Sequence, residues 1–169
     1  FLDMWEIKML RAYLQVISNP YRDIPLVTLL YSDFYNFSSE QLAMIRTEDK
    51  NVSFYDALKK RAQKDDACAS FLAEVEALRL AAVGKRTDEV LQMIFARTHI
   101  LERVASHPDG KSRVANMQLM LRYAAEYERD SYKGLFSFLN YLDKMSALQK
   151  ILPGAKSGEK AEDCVQILS

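Results

Sequence analysis

Apolar residues recur along this chain with a period near 3.6. Ile7, Leu10, Leu14 and Ile17 stand at i, i+3, i+7 and i+10, and Trp5, Met9, Tyr13 and Val16 widen the stripe. That pattern predicts a helix over residues 3–18, buried on most sides. Asn19-Pro20 ends it, because proline disfavours helical geometry in the residue before it. A short helix over 24–30 follows, with Pro25 in its first turn, where no N–H is needed. Ser38 and Gln41 form a capping-box pattern that opens a third helix, and Ser53 or a neighbour caps a fourth running to Ala62. Asp65-Asp66 open a fifth, with Phe71, Val75, Leu78 and Ala82 on one face, ended by Gly84. Thr87 caps a sixth, in which Val90, Leu91, Ile94, Phe95, Thr98 and Leu101 keep the period as far as the loop His107-Pro108-Asp109-Gly110. A seventh over 112–129, capped by Ser112, carries Val114, Met117, Leu121 and Ala124. After Gly134, Leu135, Phe138, Leu139, Leu142 and Met145 define an eighth. Residues 153–163 turn to Gly, Lys, Glu and Ala and read as a solvated linker. Residues 164–168 alternate as a short β-strand, which needs a partner strand from elsewhere to satisfy its backbone. The expected fold is therefore all-α: an irregular multi-helix bundle closed by one short strand that belongs to a flanking, sheet-containing domain.

Composition narrows the function without naming it. At 169 residues, 49% apolar and 27% charged, the chain can bury a core. Lys plus Arg and Asp plus Glu both number 23. Neither half is lopsided, with 10 basic and 12 acidic residues before position 85 and 13 and 11 from position 85 on. This balance excludes a protein that coats nucleic acid or an anionic membrane by bulk charge. The sequence holds no apolar run near the ~20 residues of a membrane span and opens without a basic leader, so a cytoplasmic location is expected. Phe1 in place of an initiating methionine suggests a piece of a longer protein. Cys68 and Cys164 are far apart, and His99 and His107 are eight apart. Neither pair has metal-ligand spacing, and reduced, unreactive thiols are the expectation.

The chemistry-bearing motifs are few. Residues 105–112, Ala-Ser-His-Pro-Asp-Gly-Lys-Ser, match a relaxed phosphate-loop pattern. Such a loop needs a Gly-rich turn between a buried strand and a helix, so that backbone N–H groups face the phosphates. Here alanine replaces the first glycine, Pro108 removes a donor, and the preceding residues 100–104 keep a helical period, so a plain interhelix loop is expected. No nucleophile–base pair suggests itself, and no catalytic, cofactor or metal residue is assigned. The acidic pairs Glu48-Asp49 and Asp65-Asp66 are expected at helix starts or loops. Lys59, Lys60, Arg61 and Lys64 read most simply as a solvated face, and Tyr123, Tyr127 and Tyr132 as core or interface. The aromatic, uncharged turn at residues 31–38 leads straight into a capped helix start. Phe34 and Phe37 could simply pack beneath that helix. Alternatively, free N–H groups there meet a DNA phosphate, which makes Tyr35, Asn36, Phe37 and Ser38 the candidate DNA contacts.

Several segments, in order, resemble one family. Trp5-Glu6-Ile7, Ala12-Tyr13-Leu14 and Ile17-Ser18-Asn19-Pro20 look like the helix beyond motif IV of UvrD/Rep-type DNA helicases. Asp23-Ile24-Pro25-Leu26-Val27 is closer to the AddA branch, the helicase–nuclease subunits of AddAB (RecBCD-like) enzymes. Arg113-Val114-Ala115-Asn116 with Leu119, the run 134–139 and the closing Val165-Gln166-Ile167-Leu168-Ser169 are similar to that branch in the same order. The resemblance implies that 1–27 and 164–169 are edges of a RecA-like domain 2A, with 28–152 its inserted helical 2B subdomain and 153–163 a linker. It also implies three kinds of partner: duplex or forked DNA, the other helicase and nuclease domains (1A, 1B, 2A), and an AddB-like subunit. ATP and Mg would be bound by the parent protein and not within these residues. Double-strand-break repair by recombination would be the setting. Asn36 stands where relatives often carry a turn glycine. The rival reading is a freestanding helical protein–protein interaction module.

Overall fold

The computed structural model describes residues 1–148, and within them the chain forms nine α-helices and no strand. These are α1 (Trp5–Ser18), α2 (Asp23–Tyr31), α3 (Ser39–Glu48), α4 (Phe54–Ala62) and α5 (Asp66–Ala82), then α6 (Thr87–Thr98), α7 (Ile100–Ala105), α8 (Gly110–Tyr127) and α9 (Leu135–Ala147). The all-α class holds. The expected linker at 153–163 and strand at 164–168 lie outside the described residues.

Helix α1 is the hub. Its stripe Ile7, Leu10 and Leu14 is fully buried, and α2, α5, α6, α8 and α9 all pack on it. The Asn19 N–H donates to the Gln15 carbonyl at 2.8 Å and closes the helix just before Pro20. From α2 the chain passes through α3 and α4 back to α5, whose Phe71, Val75 and Leu78 enter the common core with Tyr13, Tyr55 and Phe138.

Caps read from the sequence are formed. The Ser38 hydroxyl accepts the Gln41 N–H at 3.1 Å, and the Gln41 side chain accepts the Ser38 N–H at 2.8 Å. The Ser53 hydroxyl accepts from the Asp56 N–H, and the Asp65 carboxylate from those of Ala67 and Cys68.

Three expectations need correction. The single helix expected from Thr87 to the loop at 107 is broken at His99, which adopts a left-handed φ of 52°. There the Thr98 hydroxyl donates back to the Ile94 carbonyl at 2.7 Å. Thr87 does not cap α6; it is its first residue, and its N–H is satisfied by Glu128, 41 residues on. Helix α8 begins at Gly110 rather than at Ser112, and its start lies so close to the end of α7 that a Cβ on Gly110 would stand 2.2 Å from the Ala105 carbonyl oxygen.

Glu128 ties the far end of the bundle together. It is fully buried, and its carboxylate accepts N–H groups from Thr87, from Lys133 at 2.9 Å and from Gly134 at 2.5 Å. One carboxylate thus receives the starts of both α6 and α9. Burial alone would raise its pKa, but these N–H donors outweigh burial and hold it below the ordinary glutamate range.

Candidate nucleic-acid interface

The turn between α2 and α3 is built by backbone bonds onto the end of α2. The Tyr35 and Asn36 N–H groups both donate to the Ser32 carbonyl, at 3.1 and 2.8 Å, and the Phe37 N–H donates to that of Leu30 at 2.9 Å. This sharp reversal puts Asn36 at a φ of 57°, a left-handed conformation that asparagine tolerates better than most residues.

The four predicted contact residues are thereby brought to one turn with different fates. Phe37 is buried, its ring 6.3 Å from that of Phe71. Tyr35 is half-buried, its ring edge-on to Phe71 at 4.7 Å and its hydroxyl 2.9 Å from that of Tyr13. Burial pushes both phenols above their ordinary range, so they stay neutral. Asn36 and Ser38 face solvent. Because the capping box uses the Ser38 and Gln41 N–H groups, an anion at this helix start would meet those of Ser39 and Glu40, beside the Glu40 carboxylate.

A cluster that the sequence did not disclose flanks this turn. The Arg103 guanidinium, on α7, lies 4.6 Å from the centre of the Phe34 ring and donates to the Phe34 carbonyl at 2.8 Å. Phe34 meets Trp5 at 5.6 Å, Arg113 of α8 lies over Trp5 at 5.3 Å, and His107 stands beside the same indole at 5.5 Å. Arg103 and the turn are 69 residues apart, a separation that helical periodicity cannot bridge.

The lysine-rich face of α4 is of another kind. Lys64 holds Glu48 at 2.8 Å, Arg61 reaches Glu48 and Asp65 at 3.5 and 3.4 Å, and Lys60 pairs with Asp49. Bonds from Lys64 and from Lys60 draw the pKa values of Glu48 and Asp49, respectively, below the carboxylate range. Glu48 ends α3 and Asp49 lies in the loop after it, one of the two expected settings. There they pair with Lys60 and Arg61 of α4 and with Lys64 just beyond it. Lys59 covers the Tyr55 ring at 4.4 Å.

The phosphate-loop look-alike does not have the geometry of one. Helix α7 precedes it where a strand is required, and Gly110 packs against Ala105 instead of opening a cradle. These residues do not fit a nucleotide. Cys68 is buried, and desolvation pushes its thiol up to about 11. Among the described residues no cluster of His, Cys, Asp and Glu could hold a metal ion, and no helix is long and apolar enough to cross a membrane.

No protein-family model matches the chain. Individual proteins do. It is 34% identical over 173 aligned positions to AddA of Lactobacillus johnsonii, the A-type subunit of an ATP-dependent helicase/nuclease, covering 100% of the chain and 14% of that protein. The proteins of the same name from Lactobacillus delbrueckii subsp. bulgaricus and Thermoanaerobacter pseudethanolicus match at 36% and 34%, with the same coverage. The chain is similar over its whole length to one segment of these subunits.

It spans 14% of the length of these AddA relatives. Two of the segments that carried the resemblance to AddA meet in space. Trp5 receives Arg113, and the buried Glu6 accepts a hydrogen bond at 2.8 Å from the Asn116 side-chain amide, which also reaches the Met4 sulfur at 3.1 Å. The Trp5-Glu6 and Arg113–Asn116 pairings thus lock α1 to α8.

Proposed function

We propose that the chain is the helical 2B-type subdomain of an ATP-dependent DNA helicase/nuclease, acting in recombinational repair of double-strand breaks in the cytoplasm. In this reading residues 1–27 and 164–169 edge a 2A domain, 28–152 form 2B, and 153–163 link back. Its part is to regulate unwinding by contacting duplex or forked DNA and an AddB-like subunit. ATP and Mg belong to other domains, in keeping with the poor fit of residues 105–112 to a nucleotide. The observation that carries the reading is the match of the whole chain to AddA proteins.

The exposed turn at Asn36 supplies the test. In the complete gene product with its partner subunit, Asn36→Asp keeps a side chain that tolerates φ near 57° while adding a negative charge. It should lower unwinding of a forked duplex several-fold and leave ATP hydrolysis stimulated by single-stranded DNA unchanged. A gene product without DNA-stimulated ATP hydrolysis would overturn the helicase reading and favour the freestanding interaction module. Unchanged unwinding by the variant would remove the turn as a DNA contact.

A further inference from the structure

Arginines elsewhere in the bundle are largely committed. Arg11, Arg61, Arg86 and Arg129 each hold a carboxylate, and Arg46 and Arg79 donate to backbone carbonyls. Among the described residues Arg22, Arg97 and Arg122 are exposed and likewise hold no carboxylate; Arg103 and Arg113 differ from them in lying against aromatic rings. Among the described residues no carboxylate lies within 4 Å of either guanidinium. Both cations are instead laid on aromatic faces, Arg103 on Phe34 and Arg113 on Trp5, and the two rings touch each other. Stacking holds each guanidinium in a fixed plane; Arg103 spends one Nη on the Phe34 carbonyl, and the N–H groups not used in this way can meet an oxyanion. Phe34 lies two residues from Asn36, so the stacked pair continues the surface that the left-handed turn begins.

We infer that Arg103 and Arg113, stacked on Phe34 and Trp5, are phosphate contacts that extend the Asn36 turn into a strip following the backbone of duplex DNA. The inference rests on the proposed function, in which this chain meets duplex DNA. It adds two residues on α7 and α8, and it explains how a chain with no net charge can bind a polyanion locally.

The test is binding of a fluorescein-labelled blunt duplex to the complete gene product with its partner subunit over a series of salt concentrations. Arg103→Gln and Arg113→Gln should each weaken binding about five-fold, and each should lower the slope of log affinity against log salt by about 0.9. Arg103→Lys and Arg113→Lys should keep the slope, because charge is what counts there. Arg103 also holds the Phe34 carbonyl, so a purely positioning role is separable. In that case Gln and Lys would weaken binding equally with the slope unmoved, and the phosphate contact at Arg103 would be overturned. If Arg103→Gln fails to fold, Arg113→Gln carries the comparison. Wild-type slopes in both Gln variants, with Asn36→Asp still weakening binding, would overturn the strip and leave the turn standing. A wild-type chain that ignores the duplex but binds polyglutamate would overturn both, in favour of an acidic protein partner.

Discussion

A carboxylate removed from water ordinarily protonates or finds a cation. Glu128 keeps its charge by collecting three backbone N–H groups instead. Replacing it with glutamine swaps a charged acceptor for a neutral one and should cost roughly 2 kcal/mol near neutral pH, read as a shift in urea midpoint. Because the folded pKa is depressed, the charge contributes its full stability above the ordinary glutamate range and loses it as pH falls through the folded value. The difference between wild type and Glu128→Gln should therefore shrink below about pH 4. An undiminished difference in acid would mean the carboxylate is not charged in the fold.

Helix boundaries show what a sequence can and cannot announce about its elements. Starts written by the side chain next to them (Ser38 with Gln41, Ser53, Asp65) are legible because the cap and the donor it satisfies lie within a few residues. The break at His99 carries no glycine or proline to signal it. The start of α6 depends on Glu128, which no local pattern links to Thr87. Gly110 was visible as a loop residue, but its purpose, the close approach of the start of α8 to the end of α7, is a tertiary fact. Gly110→Ala tests that purpose, since alanine favours helices and on propensity alone should stabilise α8. The clash with the Ala105 carbonyl should win, lowering stability by about 1–3 kcal/mol in a thermal melt. A raised melting temperature would show that the close approach can relax.

On the scale of the molecule, the period-3.6 stripe of α1 foretold a helix buried on most sides, and α2, α5, α6, α8 and α9 all pack on it. Leu14→Ala should remove about 2–5 kcal/mol, because the cavity would open where several helices meet. If α1 joins the halves, Trp5 fluorescence and far-ultraviolet circular dichroism should still report one coincident transition in that variant; two separate transitions would mean the halves are independent. The candidate site was only half legible at this scale. Its turn is contiguous in sequence, and Asn36 could be singled out there. Its cations come from α7 and α8, and a tally of 23 positive and 23 negative side chains does not reveal which of them lie against aromatic rings instead of carboxylates. The reach of Glu128 also bears on the order of events in time. Its bonds to Lys133 and Gly134 close within a tight turn and can form early, whereas the one to Thr87 must wait for two distant helices to dock. A latch fastened after the rate-limiting step governs escape more than arrival. Stopped-flow mixing should find that Glu128→Gln speeds unfolding more than it slows refolding, the bond to Thr87 weighing on the first and the two local bonds on the second.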